Sequence, residues 1–226
     1  MLNLKGGVGK TVLSANLFGA IHEFHRKSVL LVDLDPQHNL TQLLLPAQKM
    51  QELMLSGRNI MSAFRGFGQS PAANDYGVSE TAIGRAVKNS RMSLKSRENR
   101  GEAAFDIVAG DFSLITYFLG QRQFESTDRR WRNFQAYINF CRANYDYIVI
   151  DVNPGATLMT EVALSTTTHI LSPVRPDRFS KHGLSLLDTM LDKLNFPITE
   201  PKLLAIMNGV QRNETSDVEI EHTQTN

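Results

Sequence analysis

Apolar and polar positions along the chain follow two rhythms. From Thr11 to about His25, the apolar residues Leu13, Leu17, Ile21 and Phe24 recur every three or four positions, the spacing of one helix face. Val29 to Val32 is an unbroken apolar run ending in the acids Asp33 and Asp35, the profile of a strand covered on both faces. Phe105 to Ala109, Tyr147 to Ile150, His169 to Val174 and Lys202 to Met207 carry the same kind of short run. Two more helical stripes lie between them: Trp131, Phe134, Ile138 and Cys141, then Leu184, Leu187, Met190 or Leu191, and Leu194. Strands alternating with helices predict an α/β fold, a doubly wound and mainly parallel sheet with helices on both faces.

Two stretches break the rhythm. Residues 69–101 are polar and basic, with Arg85, Lys88, Arg91, Lys95, Arg97 and Arg100 set against few acids, and predict an excursion from the core. A solvated charged face is the first reading of that stretch, and a contact with DNA phosphates the second. Residues 211–226 are acidic and almost free of large apolar side chains, so a poorly ordered tail is expected there. Residues 1–210 remain as one domain, as expected for a chain of 226 residues.

Charge and composition narrow the field only slightly. The balance of 24 basic against 23 acidic residues, net +1, demands no polyanionic partner. The lone Cys141 excludes a disulfide framework and suits a reducing compartment. No run approaches the roughly 20 apolar residues of a membrane span, and no basic-then-apolar signal segment opens the chain. A cytoplasmic protein with no membrane partner is expected.

The chemistry sits at the start. Leu4-Lys5-Gly6-Gly7-Val8-Gly9-Lys10-Thr11 is a glycine-rich loop leading into the first predicted helix. Such glycines let backbone N–H groups turn inward around phosphates, a lysine at Lys10 reaches β/γ-phosphate oxygens, and a hydroxyl at Thr11 ligates Mg²⁺. The stretch from Gly6 to Val12 is therefore the expected nucleotide cradle, opening a helix whose amino end favours anions. His22-Glu23-Phe24-His25 is one residue short of zinc-protease spacing, and Ser180 with His182 lacks a nucleophile turn.

The run from Lys5 to Thr11 resembles the deviant Walker A motif of the ParA/MinD family of dimeric P-loop ATPases, and further segments agree in order. Ser28 to Thr41, with Asp33-Leu34-Asp35-Pro36-Gln37, is similar to the family's second strand and the segment after it. Tyr145 to Asp151 looks like its Walker B strand. Ser172-Pro173-Val174-Arg175-Pro176-Asp177, with Gly183-Leu184 beyond, is similar to its Pro-Val-x-Pro segment and following helix.

The resemblance, closest to the ParA/Soj-like partition branch, implies a P-loop NTPase fold, ATP and Mg²⁺, and a homodimer when ATP is bound. It gives Lys5 a catalytic role on the partner subunit's phosphates and Asp35 the attacking water. Asp33 falls near the Mg²⁺ shell, and Asp151 on a metal-bound water. Asn208 matches an adenine-contacting amide, and Pro173 and Arg175 a base pocket, with a plain strand-to-loop turn as the alternative. Arg212 matches a DNA-contacting arginine, joining Arg85, Lys88, Arg91 and Lys95.

The implied activity is slow ATP hydrolysis, stimulated by a ParB-like adaptor, that resets a dimerisation switch in plasmid or chromosome partitioning. Sequence-independent DNA binding would associate it with the nucleoid. A MinD-like membrane-recruited division regulator and a P-loop small-molecule ligase are the alternatives; the lone cysteine rejects the iron-protein branch. Asn153 stands where the family has a switch II proline, which implies a looser switch. Beside the family pattern, both ends of the chain look truncated.

Overall fold

The computed structural model describes residues 1–65, 87–94, 102–119, 128–155, 157–175, 178–192 and 201–209, with backbone alone for 178–182. The glycine-rich loop feeds α1 (Lys10–His25), and the apolar run after Ser28 becomes β1 (Val29–Asp33). Next come α2 (Asn39–Leu44), α3 (Ala47–Ser56), α4 (Met61–Phe64), β2 (Arg91–Ser93) and β3 (Phe105–Val108). They are followed by α5 (Ser113–Phe118), α6 (Arg129–Arg142), β4 (Tyr147–Asp151), α7 (Leu158–Leu164), β5 (His169–Val174), α8 (Arg178–Asp192) and β6 (Lys202–Met207).

β1 is buried along its whole length and runs parallel to β3 on one side and β4 on the other. Its side chains alternate between two cores, as strand geometry requires. Leu30 and Val32 join Phe64, Phe134, Tyr137 and Cys141 on one face; Val29 and Leu31 join Phe18, Leu40, Leu53 and Ile107 on the other. Each such burial stabilises by roughly 1.5–3 kcal/mol, so a polar substitution here weakens the layer that its side chain faces. Helices therefore cover both faces of a mainly parallel sheet, as the sequence predicts. Local signals set their ends: the Asp128 carboxylate accepts from Arg130 N–H at the start of α6, and Gly57, at φ 64°, closes α3.

Two expectations need correcting. The buried face of α1 is Ser14, Ala15, Phe18 and His22, whereas Leu17 and Ile21 are half-buried and Phe24 is 80% exposed. Polar anchors turn the helix: Ser14 donates to Asp151, while His22 bonds the Lys27 carbonyl and stacks on Phe105. The basic stretch, in turn, is not wholly an excursion. Arg91–Ser93 adds an antiparallel edge strand to β3, held by the Arg91 guanidinium, which donates to the Tyr145 hydroxyl (2.8 Å) and lies 3.7 Å from Asp106.

The sheet has the order β2-β3-β1-β4, and β5 with β6 forms a separate parallel pair. The first residues of the chain bridge them. The Met1 ammonium donates to Ile150 O (2.7 Å), and Leu2 N–H donates to Leu171 O (3.0 Å). Among the described residues no helix is long and apolar enough to cross a membrane.

Candidate nucleotide site

β1 and β4 end side by side, with Asp33 opposite Asp151, and the glycine-rich loop lies over that end. Gly7 and Gly9 adopt φ of 70° and 93°, where a side chain would be strained. Gly9 is the residue before α1 and offers no side-chain cap, so the helix's first N–H groups stay open to an anion. Lys10 is buried at the mouth and folds back so that Nζ donates to the Lys5 carbonyl at 3.2 Å. Burial pulls its pKa down, while Asp151 and Asp35 push the other way.

The carboxylates are held in different ways. Asp33 is fully buried; its Oδ2 accepts from the Thr41 hydroxyl (2.6 Å) and the Thr41 N–H (2.8 Å), and its Oδ1 accepts from Asp35 N–H. Burial pushes its pKa up to about 7 despite the Thr41 bonds. Asp35 caps the turn beyond it, accepting from Gln37 N–H at 2.9 Å and from the Asn39 amide at 3.4 Å. Asp151 accepts from the Ser14 hydroxyl through Oδ1, whereas its Oδ2 is buried without a hydrogen-bond partner. Burial raises this pKa too, opposed chiefly by the neighbouring Thr11 hydroxyl.

That bare oxygen, next to the Thr11 hydroxyl, fits a hydrated divalent cation. Among the described residues no cluster of His, Cys, Asp and Glu would hold a metal alone. A single bare carboxylate oxygen suits Mg²⁺, which keeps several waters and takes further ligands from phosphate.

Of the residues expected to form a base pocket, Asn208 reaches the loop directly. Asn208 donates through its N–H to Val174 O (2.7 Å) and through its amide to Val8 O (2.8 Å); a Cβ on Gly9 would strike that amide. The Pro173 carbonyl accepts from the Asn3 amide, and the Arg175 side chain packs beside Gly209. Val12 is 55% exposed on the first turn of α1. Of the basic residues, Lys88 is exposed and Arg91 is engaged in the sheet; Arg85, Lys95 and Arg212 lie outside the described residues.

Three site residues were not anticipated from the sequence. Buried Asn3 donates to Ser172 Oγ and Pro173 O and accepts from Lys5 N–H, fixing the loop's root to β5. Ser14 fixes Asp151, and the Gly110 N–H donates to the Thr41 hydroxyl that holds Asp33. A polar Asn3 inside Met1-Leu2-Asn3-Leu4 was the one visible signal.

Known proteins resemble this chain in sequence and fold. A family profile described as an AAA domain matches residues 1–203. An uncharacterised Mycobacterium tuberculosis protein is 29% identical over 209 residues, covering 90% of this chain and 54% of its own. The sporulation initiation inhibitor protein Soj of Bacillus subtilis is 29% identical over 189 residues, 83% of this chain and 62% of Soj. A structure of pNOB8 ParA bound to nonspecific DNA superposes with a TM-score of 0.65 at 25% identity, over 94% of this chain and 68% of that one. The chain thus spans little more than half the length of the M. tuberculosis relative. With the loop, the paired strand-end acids and these matches together, the chain belongs to the ParA/MinD-like family of P-loop nucleoside triphosphatases.

Proposed function

We propose that this protein is a ParA-like ATPase whose ATP-bound dimer binds DNA without sequence preference and whose hydrolysis resets it, in partitioning a plasmid or chromosome. The observation that carries this reading is the seat at the start of α1: open helix N–H groups, a retracted Lys10, and the partnerless Oδ2 of Asp151. In it, the loop amides bind the phosphates and Lys10 swings from the Lys5 carbonyl to the β/γ-oxygens. Thr11 and Asp151, with Asp33 behind them, would hold Mg²⁺ through its waters. Bound there, the ion neutralises charge on the transferring phosphoryl group.

Asp35 orients the attacking water from the end of β1. Lys5, anchored through Asn3, projects its ammonium toward the phosphates of a second subunit. Lys88, with Arg85, Lys95 and Arg212, supplies DNA contacts, so affinity falls steeply with salt. An adaptor of the ParB kind stimulates turnover at the nucleoid. The reading draws support from Soj, and from the pNOB8 ParA structure with its nonspecific DNA.

Lys5→Ala tests it. This variant is expected to bind a fluorescent ATP analogue within about threefold of the parent, a change of under 1 kcal/mol, yet fail to dimerise in sedimentation and fail to hydrolyse ATP. Asp35→Ala is expected to dimerise without turnover. Normal dimerisation and hydrolysis by Lys5→Ala would reduce the protein to a P-loop NTPase that acts within one subunit.

A further inference from the structure

α5 carries large apolar side chains on both of its faces. Inward, Leu114 and Phe118 are buried, with the Phe118 ring edge-on to Phe64 at 5.2 Å and Phe64 stacked on Phe134 at 5.1 Å. Outward, Phe112, Ile115 and Leu119 are 61%, 38% and 75% exposed. Phe112 already has helical backbone angles, and Leu119 N–H still bonds Thr116 O, so the helical spacing of 112, 115 and 119 puts these three on one stripe. Apolar residues exposed singly are ordinary on a protein surface. A helix that is apolar all round is one that is covered all round, and a contiguous exposed stripe marks an interaction site.

The flank of this helix is cationic. Arg130 donates to the Tyr117 carbonyl at 3.1 Å and lies 5.5 Å from the centres of the Tyr117 and Phe118 rings, which fixes it at the carboxyl end of α5. Arg65 and Arg129, both exposed, lie within electrostatic reach of the Tyr117 hydroxyl, as do Arg130 and Asp128. The Asp128 carboxylate is already engaged by Arg130, at 3.1 Å through Oδ1 and 2.7 Å through Oδ2. This charge selects among occupants. A second copy of the chain meeting the same stripe would set arginine against arginine across a twofold contact. Nucleic acid would answer the arginines but leave apolar side chains against phosphate. A lipid surface would receive only three side chains, because the other face of α5 is locked into the core, and membrane binding scales with the apolar area inserted.

We propose that the face made by Phe112, Ile115 and Leu119 is a docking surface for an acidic amphipathic segment of a partner protein, whose apolar side chains cover the stripe and whose Asp and Glu carboxylates reach Arg65 and Arg129. Helical segments that bind in this way present apolar anchors three and four residues apart, the spacing of the stripe itself. The aromatic packing behind α5 holds the surface in place beforehand, which lowers the ordering cost of association. The surface also adjoins the nucleotide site through the backbone. Phe112 follows closely on Gly110, whose N–H bonds the Thr41 hydroxyl that holds Asp33. A segment seated on α5 therefore lies beside the wall of the phosphate end.

The probe is a fluorescein-labelled peptide of about four helical turns, with leucines along one face and glutamates elsewhere. Fluorescence anisotropy is read without nucleotide, so the result stands apart from the ATPase reading. The 226-residue chain is expected to bind the peptide saturably with Kd below about 100 μM. Phe112→Ser with Leu119→Ser should weaken binding at least about tenfold, and Arg65→Glu with Arg129→Glu by a similar factor. Both pairs alter exposed side chains, so Tm should stay within a few degrees of the parent; if the serine pair lowers it further, the charge pair decides. The same peptide with lysine in place of glutamate should not bind. Absence of saturable binding by the parent overturns the proposal, as does binding that survives both pairs or that the lysine peptide shares. Phosphatidylserine vesicles that bind the parent but not the serine pair, with the peptide unbound, would overturn it in favour of a lipid surface. Self-association of the parent in sedimentation, lost in the serine pair, would overturn it in favour of a second copy.

Discussion

Met1 and Leu2 bridge β4 and β5 between two regions built from opposite materials. At the phosphate end, Asp33, Asp35 and Asp151 are each positioned by named donors: Thr41, Gln37 and Ser14. Between β4 and β5, a cavity of about 610 Å³ has a mainly aliphatic lining, with threonine hydroxyls, Arg142 and Asp146 among it. Hydrogen bonds are directional, and a buried donor or acceptor that loses its partner carries its full desolvation cost. Apolar burial is non-directional and scales with area. A single altered side chain should therefore disturb the first end abruptly and the second only in proportion to the surface it changes.

The largest effect belongs to Lys10→Ala, which removes the ammonium folded back onto the Lys5 carbonyl. Affinity for a fluorescent ATP analogue is expected to fall more than about a hundredfold, near 3 kcal/mol; unchanged titration curves would dismiss the loop as the cradle. Thr41→Val ranks next. It keeps the side-chain volume but strips one donor from Asp33 Oδ2 and the acceptor from Gly110 N–H, so urea unfolding should show a loss of about 2–3 kcal/mol.

Titration sharpens the contrast. Asp33, raised to about 7, holds a proton in the folded state that the unfolded chain releases near pH 4. Its contribution to stability is full below about pH 4 and is lost as pH rises to about 7. Met1, lowered to about 6, has the reverse sign: the unfolded amine binds the extra proton, so stability rises between about pH 6 and 8. In metal-free, nucleotide-free protein, Asp33→Asn should flatten the fall across the acid range, and N-terminal acetylation the rise near neutrality. Urea midpoints measured at each pH check both. The smallest effect is expected for Phe24→Ser on the exposed side of α1, within about 0.5 kcal/mol by thermal unfolding.

The strands were legible because each is a short apolar run beside polar turns, and five of them match the expected positions. β2 was hidden: Arg91-Met92-Ser93 is short and half polar, and only its ladder to β3 makes it a strand. The α1 stripe was visible, but its orientation was not. Helical spacing identifies a face, whereas the rotation of that face is set by Ser14 meeting Asp151 across 137 positions of sequence. The candidate site divides in the same way. The loop and its acids declare themselves by residue type and order, while Asn3 and Gly110 gain their roles from partners far along the chain. The match to residues 1–203 extends the family assignment beyond those short motifs.

Gly110 has a consequence for mutational tolerance. It is not among the glycines with positive φ, so backbone geometry alone would admit any residue there. A methyl group at that position, however, would lie 2.8 Å from the His38 Cβ and 3.0 Å from the Asp33 Cγ. The segment after β3 and the turn after β1 press together at this point, with the phosphate-end acid between them. A saturation library selected for function should leave position 110 nearly invariant. Its intolerance would have the appearance of a catalytic residue, although its part in the site is one backbone bond to Thr41 and the space it leaves in the wall.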